Sequence, residues 1–161
     1  MNFFIVMKMN GFDQQKAARV WQRVQQAQPR EKEPGHLEEL PEWLMNEWTM
    51  AATYRQLASG AQGTAREILG QLARQEQKHG ACLGGIHVLT AGERYRFQNP
   101  KPVKEPTERV LRRCYGMHLR SMKAYEDRTG DPEYGQVFAE LARQEREQSM
   151  AVLELLGGVG K

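Results

Sequence analysis

Apolar residues recur three or four positions apart in four long stretches, separated by clusters of Gly, Pro and Asp, and this is the spacing of amphipathic helices. The first stretch runs from Pro41 through Leu44, Met50/Ala51, Tyr54 and Leu57/Ala58 to a stop at Ser59-Gly60. Pro41 suits the first turn, where its missing N–H would have had no helical acceptor. The second follows a Gly-containing turn at 60–64 and runs to about Leu89, with Leu69, Leu72, Leu83 and Ile86 on one stripe. Gly80, Gly84 and Gly85 each lower helix propensity by roughly 1 kcal/mol relative to Ala. The stripe continues past them, so they mark a close helix contact with no room for a side chain, not a terminus. The third stretch starts at Thr107, expected as its cap, and carries Leu111, Cys114, Met122 and Tyr125. Thr129-Gly130-Asp131-Pro132 is a stop and restart, with Asp131 as cap and Pro132 in the first turn; the fourth stretch then carries Phe138, Leu141, Val152 and Leu155 up to Gly157-Gly158.

Two connections complete the plan. Asp13 can cap a short helix to about Ala27, with Ala17, Val20, Trp21 and Val24 at helical spacing, and the polar run Gln28 to Leu40 with Pro29, Pro34 and Gly35 has linker composition. Residues 1–40 therefore form an arm and 41–158 the folded domain. Between helices two and three, Ala91 to Pro106 holds Gly92, Pro100 and Pro102 and no helical pattern, and connections this long are uncommon without a reason. A helix of about 25 residues is about 38 Å long, and 15 extended residues reach about 50 Å, so this segment can cross a bundle from end to end. The expected fold is all-α: an antiparallel four-helix bundle with a long crossover that makes helices two and three parallel, plus the short N-terminal helix.

The pattern is duplicated. Leu72-Ala73-Arg74-Gln75-Glu76 recurs letter for letter as Leu141-Ala142-Arg143-Gln144-Glu145. Each half then reads as a polar residue, a Tyr seven positions later, a turn, and this phrase: Glu47 and Tyr54 in the first half, His118 and Tyr125 in the second. Polar residues interrupt all four apolar stripes near their middles: Glu47, Glu76 with His79, His118, and Glu145 with Gln148. Glu76 and His79 lie three apart and share a helix face. Three inward carboxylates repel one another and are costly to bury, and a divalent cation pair compensates them.

Composition narrows the function classes. A chain of 161 residues is the size of one domain, with 40% hydrophobic and 27% charged residues, as expected of an ordinary globular protein. The net charge of +3 comes from interleaved Lys, Arg, Asp and Glu with no basic block, which gives no pointer to nucleic acid. No stretch approaches the roughly 20 apolar residues of a membrane span, so no membrane partner is expected and the cytoplasm is the natural compartment. Cys82 and Cys114 form no C-x-x-C pair, so neither a zinc ribbon nor a rubredoxin-type iron centre can be built, and no disulfide is expected between them.

These residues resemble the ferritin-like superfamily, and within it the rubrerythrin-type di-iron domain, whose pattern is a Glu from each of two helices plus Glu-x-x-His from each of the other two. Glu47 matches the first lone Glu, and Glu76 with His79 the first Glu-x-x-His; the resemblance covers about residues 41–156. In the second half His118 stands for the lone Glu and Gln148 for the His, with only Glu145 retained. The resemblance implies metal ligands Glu47, Glu76, His79, His118, Glu145 and Gln148, with Tyr54 and Tyr125 hydrogen-bonding ligand carboxylates. It implies iron, two per chain for an intact site, or manganese or zinc, and redox chemistry on peroxide or dioxygen, a peroxidase or iron-oxidising oxidoreductase fed by an external electron donor. It also implies a homodimer in place of a storage shell. The alternative from the altered second half is a non-catalytic helical scaffold or sensor that binds one metal or none.

Overall fold

The computed structural model describes residues 37–158 together with Arg19, Gln22 and Arg23. Those three are helical and exposed; the rest of the expected 13–27 helix, and most of the linker after it, lie outside the described residues. Among the described residues the elements are α1 (Leu40–Gly60), α2 (Gly63–Ala91), α3 (Thr107–Glu126) and α4 (Gly135–Gly158), with no strand. No helix among them is long and apolar enough to cross a membrane.

Each helix forms where its stripe predicts it, and its boundaries have local causes. α1 begins at Leu40, one residue before Pro41, and Leu37 and Leu40 are already buried at the end of the expected linker. α2 runs unbroken through Gly80, Gly84 and Gly85 and stops at Gly92, whose φ of 73° is the left-handed conformation that ends helices and whose N–H returns to Val88 O. Thr107 is the first helical residue of α3 and not its cap; the cap position belongs to Pro106, which has no side-chain donor or acceptor to offer. Asp131 and Pro132, expected as the cap and first helical position, lie in a turn ahead of α4: Asp131 Oδ1 accepts the backbone N–H groups of Glu133 and Tyr134, and the helix itself begins at Gly135. Gly135 is required there, because a Cβ would sit 2.3 Å from Thr129 O.

Residue contacts group the chain into two units whose boundaries fall inside α1 and α2. The first combines the described residues up to Trp48 with Glu76–Gln98. Within it the start of α1 and the second half of α2 run antiparallel: Trp48 lies on Gly80 and, four residues back, Leu44 lies on Gly84. The crossover is tied down here by Tyr95, edge-on to His87, and Phe97, tilted against Trp48.

The second unit combines Thr49–Gln75 with the chain from Asn99 onward. All four helices contribute to its core: Met50 and Tyr54 from α1, Leu69, Leu72 and Ala73 from α2, Val110, Leu111 and Cys114 from α3, Val152 and Leu155 from α4. α3 and α4 are an antiparallel pair: Tyr125 stacks on Phe138, and seven residues back along α3 His118 meets Glu145, seven residues on along α4. The remainder of the crossover is anchored by Gln56, whose amide donates to Val103 O at 2.7 Å and accepts from Val103 N–H at 2.8 Å.

Candidate metal centre

The polar interruptions of the four stripes are buried as the apolar residues around them are. Glu47, Glu76, His79, His118 and Glu145 are 0% exposed and Gln148 is 1% exposed. Helical spacing explains this: Glu47 lies one turn from both Leu44 and Met50/Ala51, and Glu145 one turn from Leu141, so the chain cannot bury the one without the other.

In the first unit, His79 Nδ1 stands 3.3 Å from Glu47 Oε2. Two donors held about 2.1 Å from one tetrahedral cation would be about 3.4 Å apart, so this spacing fits a shared ion. Gly80, next to His79, sets the approach: a Cβ there would meet the Trp48 ring at 2.7 Å, so the glycine is what lets the helix carrying His79 close onto the helix carrying Glu47. Gly84 does not play that part, since a Cβ there would be 3.9 Å from Leu44, an ordinary contact. Cys82, one turn beyond His79, is a free thiol pushed up to about 12 by burial first and the Glu47 carboxylate second. Cys114, also free, is raised by burial.

In the second unit, His118 is bonded at both ring nitrogens. Its Nδ1 is 2.7 Å from Glu145 Oε2 and its Nε2 is 2.7 Å from Tyr54 Oη. For a neutral imidazole the consistent arrangement has Nδ1–H donating to the carboxylate and the tyrosine hydroxyl donating to Nε2. Tyr54 therefore orients a histidine. Tyr125 stacks on Phe138. Gln148 makes no hydrogen bond from either amide atom, and a buried orphan amide of this kind costs about 1–3 kcal/mol when nothing satisfies it.

One ligand atom from each of Glu47, Glu76, His79 and Glu145 lies within 4.8 Å of the others. Three carboxylates and an imidazole are a donor set suited to divalent iron, manganese or zinc. Burial of three carboxylates with mutual spacing this short demands compensating positive charge, so the residues present fit a metal ion. Glu47, Glu76, His79 and Glu145, four of the six ligands expected from sequence, form this group; His118 lies outside it and bonds Glu145, and Gln148 is buried with both amide atoms lacking a hydrogen bond. The sequence signal for His118 was its place on the stripe, which reports burial but not the partners of its ring. The seat of Trp48 on Gly80 was foreshadowed only by the glycine.

Comparison with family models, with curated proteins and with solved structures yields no match for this chain.

Proposed function

We propose that this chain is a metal-carboxylate protein of the ferritin-like kind, rubrerythrin-like in its chemistry, that reduces peroxide or dioxygen with electrons from a separate donor. The observation that carries this is the convergence of Glu47, Glu76, His79 and Glu145, all buried, from three different helices. Iron bound there would supply one-electron redox chemistry and Lewis acidity. The protein's own part is to hold the donors: Trp48 on Gly80 fixes the closeness of α1 and α2, His118 fixes Glu145, and the buried position excludes water. Reduction of hydrogen peroxide to two waters takes two electrons and two protons, and both electrons come from the external donor.

A second function, a helical scaffold or sensor that binds metal without turnover, draws support from His118, whose two nitrogens are engaged within the protein. Elemental analysis of protein purified without chelator is expected to find stoichiometric iron, manganese or zinc, and chelation is expected to lower thermal stability. Metal-free protein of unchanged stability would sink the proposal. Glu76→Ala is expected to abolish binding, while Gln148→Ala leaves most of it. Peroxide consumption by reduced, iron-loaded protein above that of free iron separates the enzyme from the scaffold.

A further inference from the structure

The repeat makes the two halves of the polar layer directly comparable, residue for residue. In the first half Glu47 and Glu76-x-x-His79 all contribute to the ligand group. In the second half the matching positions are His118 and Glu145-x-x-Gln148: Glu145 joins the group, His118 is bonded to Glu145 and Tyr54, and Gln148 offers a neutral amide where the first half has an imidazole. A symmetric two-ion centre needs both halves to supply ligands, and a carboxylate that bridges two cations uses both its oxygens. Here one oxygen of Glu145 is held at 2.7 Å by the imidazole of His118, whose other nitrogen is fixed at 2.7 Å by Tyr54. The N–H of that imidazole competes with a cation for this oxygen of Glu145.

Charge is compatible with a single ion. Glu47, Glu76 and Glu145 bring three negative charges. One divalent ion leaves the group at −1, and one trivalent ion neutralises it.

Resting on the metal-centre proposal above, we infer that the chain binds a single metal ion, and that Tyr54 and His118 are positioning residues that hold one oxygen of Glu145. Tyr54 sets the tautomer of His118, and His118 holds Glu145 to one cation. This is the general arrangement in which an outer hydrogen-bond partner orients a ligand and tunes its metal.

The test is titration of the full-length, chelator-treated chain with Mn(II), followed by calorimetry and electron paramagnetic resonance. The unaltered protein is expected to bind one Mn(II) per chain with the spectrum of an isolated ion. His118→Glu combined with Gln148→His copies the first half into the second, and is expected to bind two ions per chain with a spin-coupled spectrum. Tyr54→Phe, which removes one oxygen, is expected to keep one ion per chain and to weaken it about 10–100-fold. Two ions in the unaltered chain overturn this inference and leave the metal-centre proposal standing, whereas no binding overturns both. A folded double variant that still binds one ion also overturns it. Should the double variant not fold, Tyr54→Phe decides, because unchanged affinity there removes the positioning role.

Discussion

Two chemically identical substitutions, Gly80→Ala and Gly84→Ala, lie one turn apart on α2, and only the second is expected to stabilise the fold. Replacing Gly by Ala in a helix interior gains about 1 kcal/mol from backbone propensity alone. At Gly84 the added methyl meets Leu44 Cδ2 at 3.9 Å, so nothing opposes that gain, and Gly84→Ala should stabilise by about 1 kcal/mol. At Gly80 the methyl would lie 2.7 Å from Cε2, 3.0 Å from Nε1 and 3.1 Å from Cδ2 of Trp48. Ordinary carbon contacts are about 3.5–4.0 Å, so the indole has to retreat by close to an ångström. These atoms belong to the rigid ring system, and Phe97 packs on the same indole, so a rotamer change does not absorb the clash. Overpacking of this kind costs about 1–3 kcal/mol, which cancels the propensity gain or exceeds it by up to about 2 kcal/mol. Urea denaturation of the metal-free proteins reads the difference, expected at about 1–3 kcal/mol between the two variants, or several degrees in melting temperature. Because Trp48 follows Glu47 and Gly80 follows His79, the Gly80 variant should also bind metal more weakly, while the Gly84 variant should not. Equal stabilisation by both substitutions would refute the argument that Trp48 and Gly80 set the spacing of α1 and α2 at the ligands.

Stability should fall at alkaline pH through the Cys82 thiol. Its ordinary value of 9.0 rises to about 12 in the folded chain, so between those values only the unfolded chain loses the proton and unfolding is favoured as pH rises through the window. The same shift predicts that Cys82 resists alkylation at pH 8 in the folded protein and reacts normally once denatured, which mass spectrometry after iodoacetamide treatment checks. Gln56→Ala removes both hydrogen bonds to Val103 and is expected to cost about 1–3 kcal/mol and to raise amide hydrogen exchange across the second half of the crossover, with α3 and α4 unaffected.

The sequence by itself determined the helices and the inward direction of their polar residues. A stripe that alternates Leu, Phe and Val with Glu and His at three- and four-residue intervals turns both kinds of residue to one side, and burial follows from helical geometry before any tertiary contact is known. The letter-for-letter repeat of Leu72–Glu76 at Leu141–Glu145 also made the asymmetry of the two halves legible, since it aligned His118 with Glu47 and Gln148 with His79. The ends of elements were less legible. Thr107 has the chemistry of a cap but lies one residue inside α3, and Leu37 and Leu40 are buried within a run of linker composition. What only the tertiary structure decided is the partner of each inward side chain. Periodicity places His118 on a buried face, but whether its ring turns toward an ion or toward Tyr54 and Glu145 depends on contacts 64 and 27 residues away in sequence, and no local pattern encodes them. The same holds for Gly80, where the need for a missing side chain comes from an indole on another helix and not from the backbone of its own.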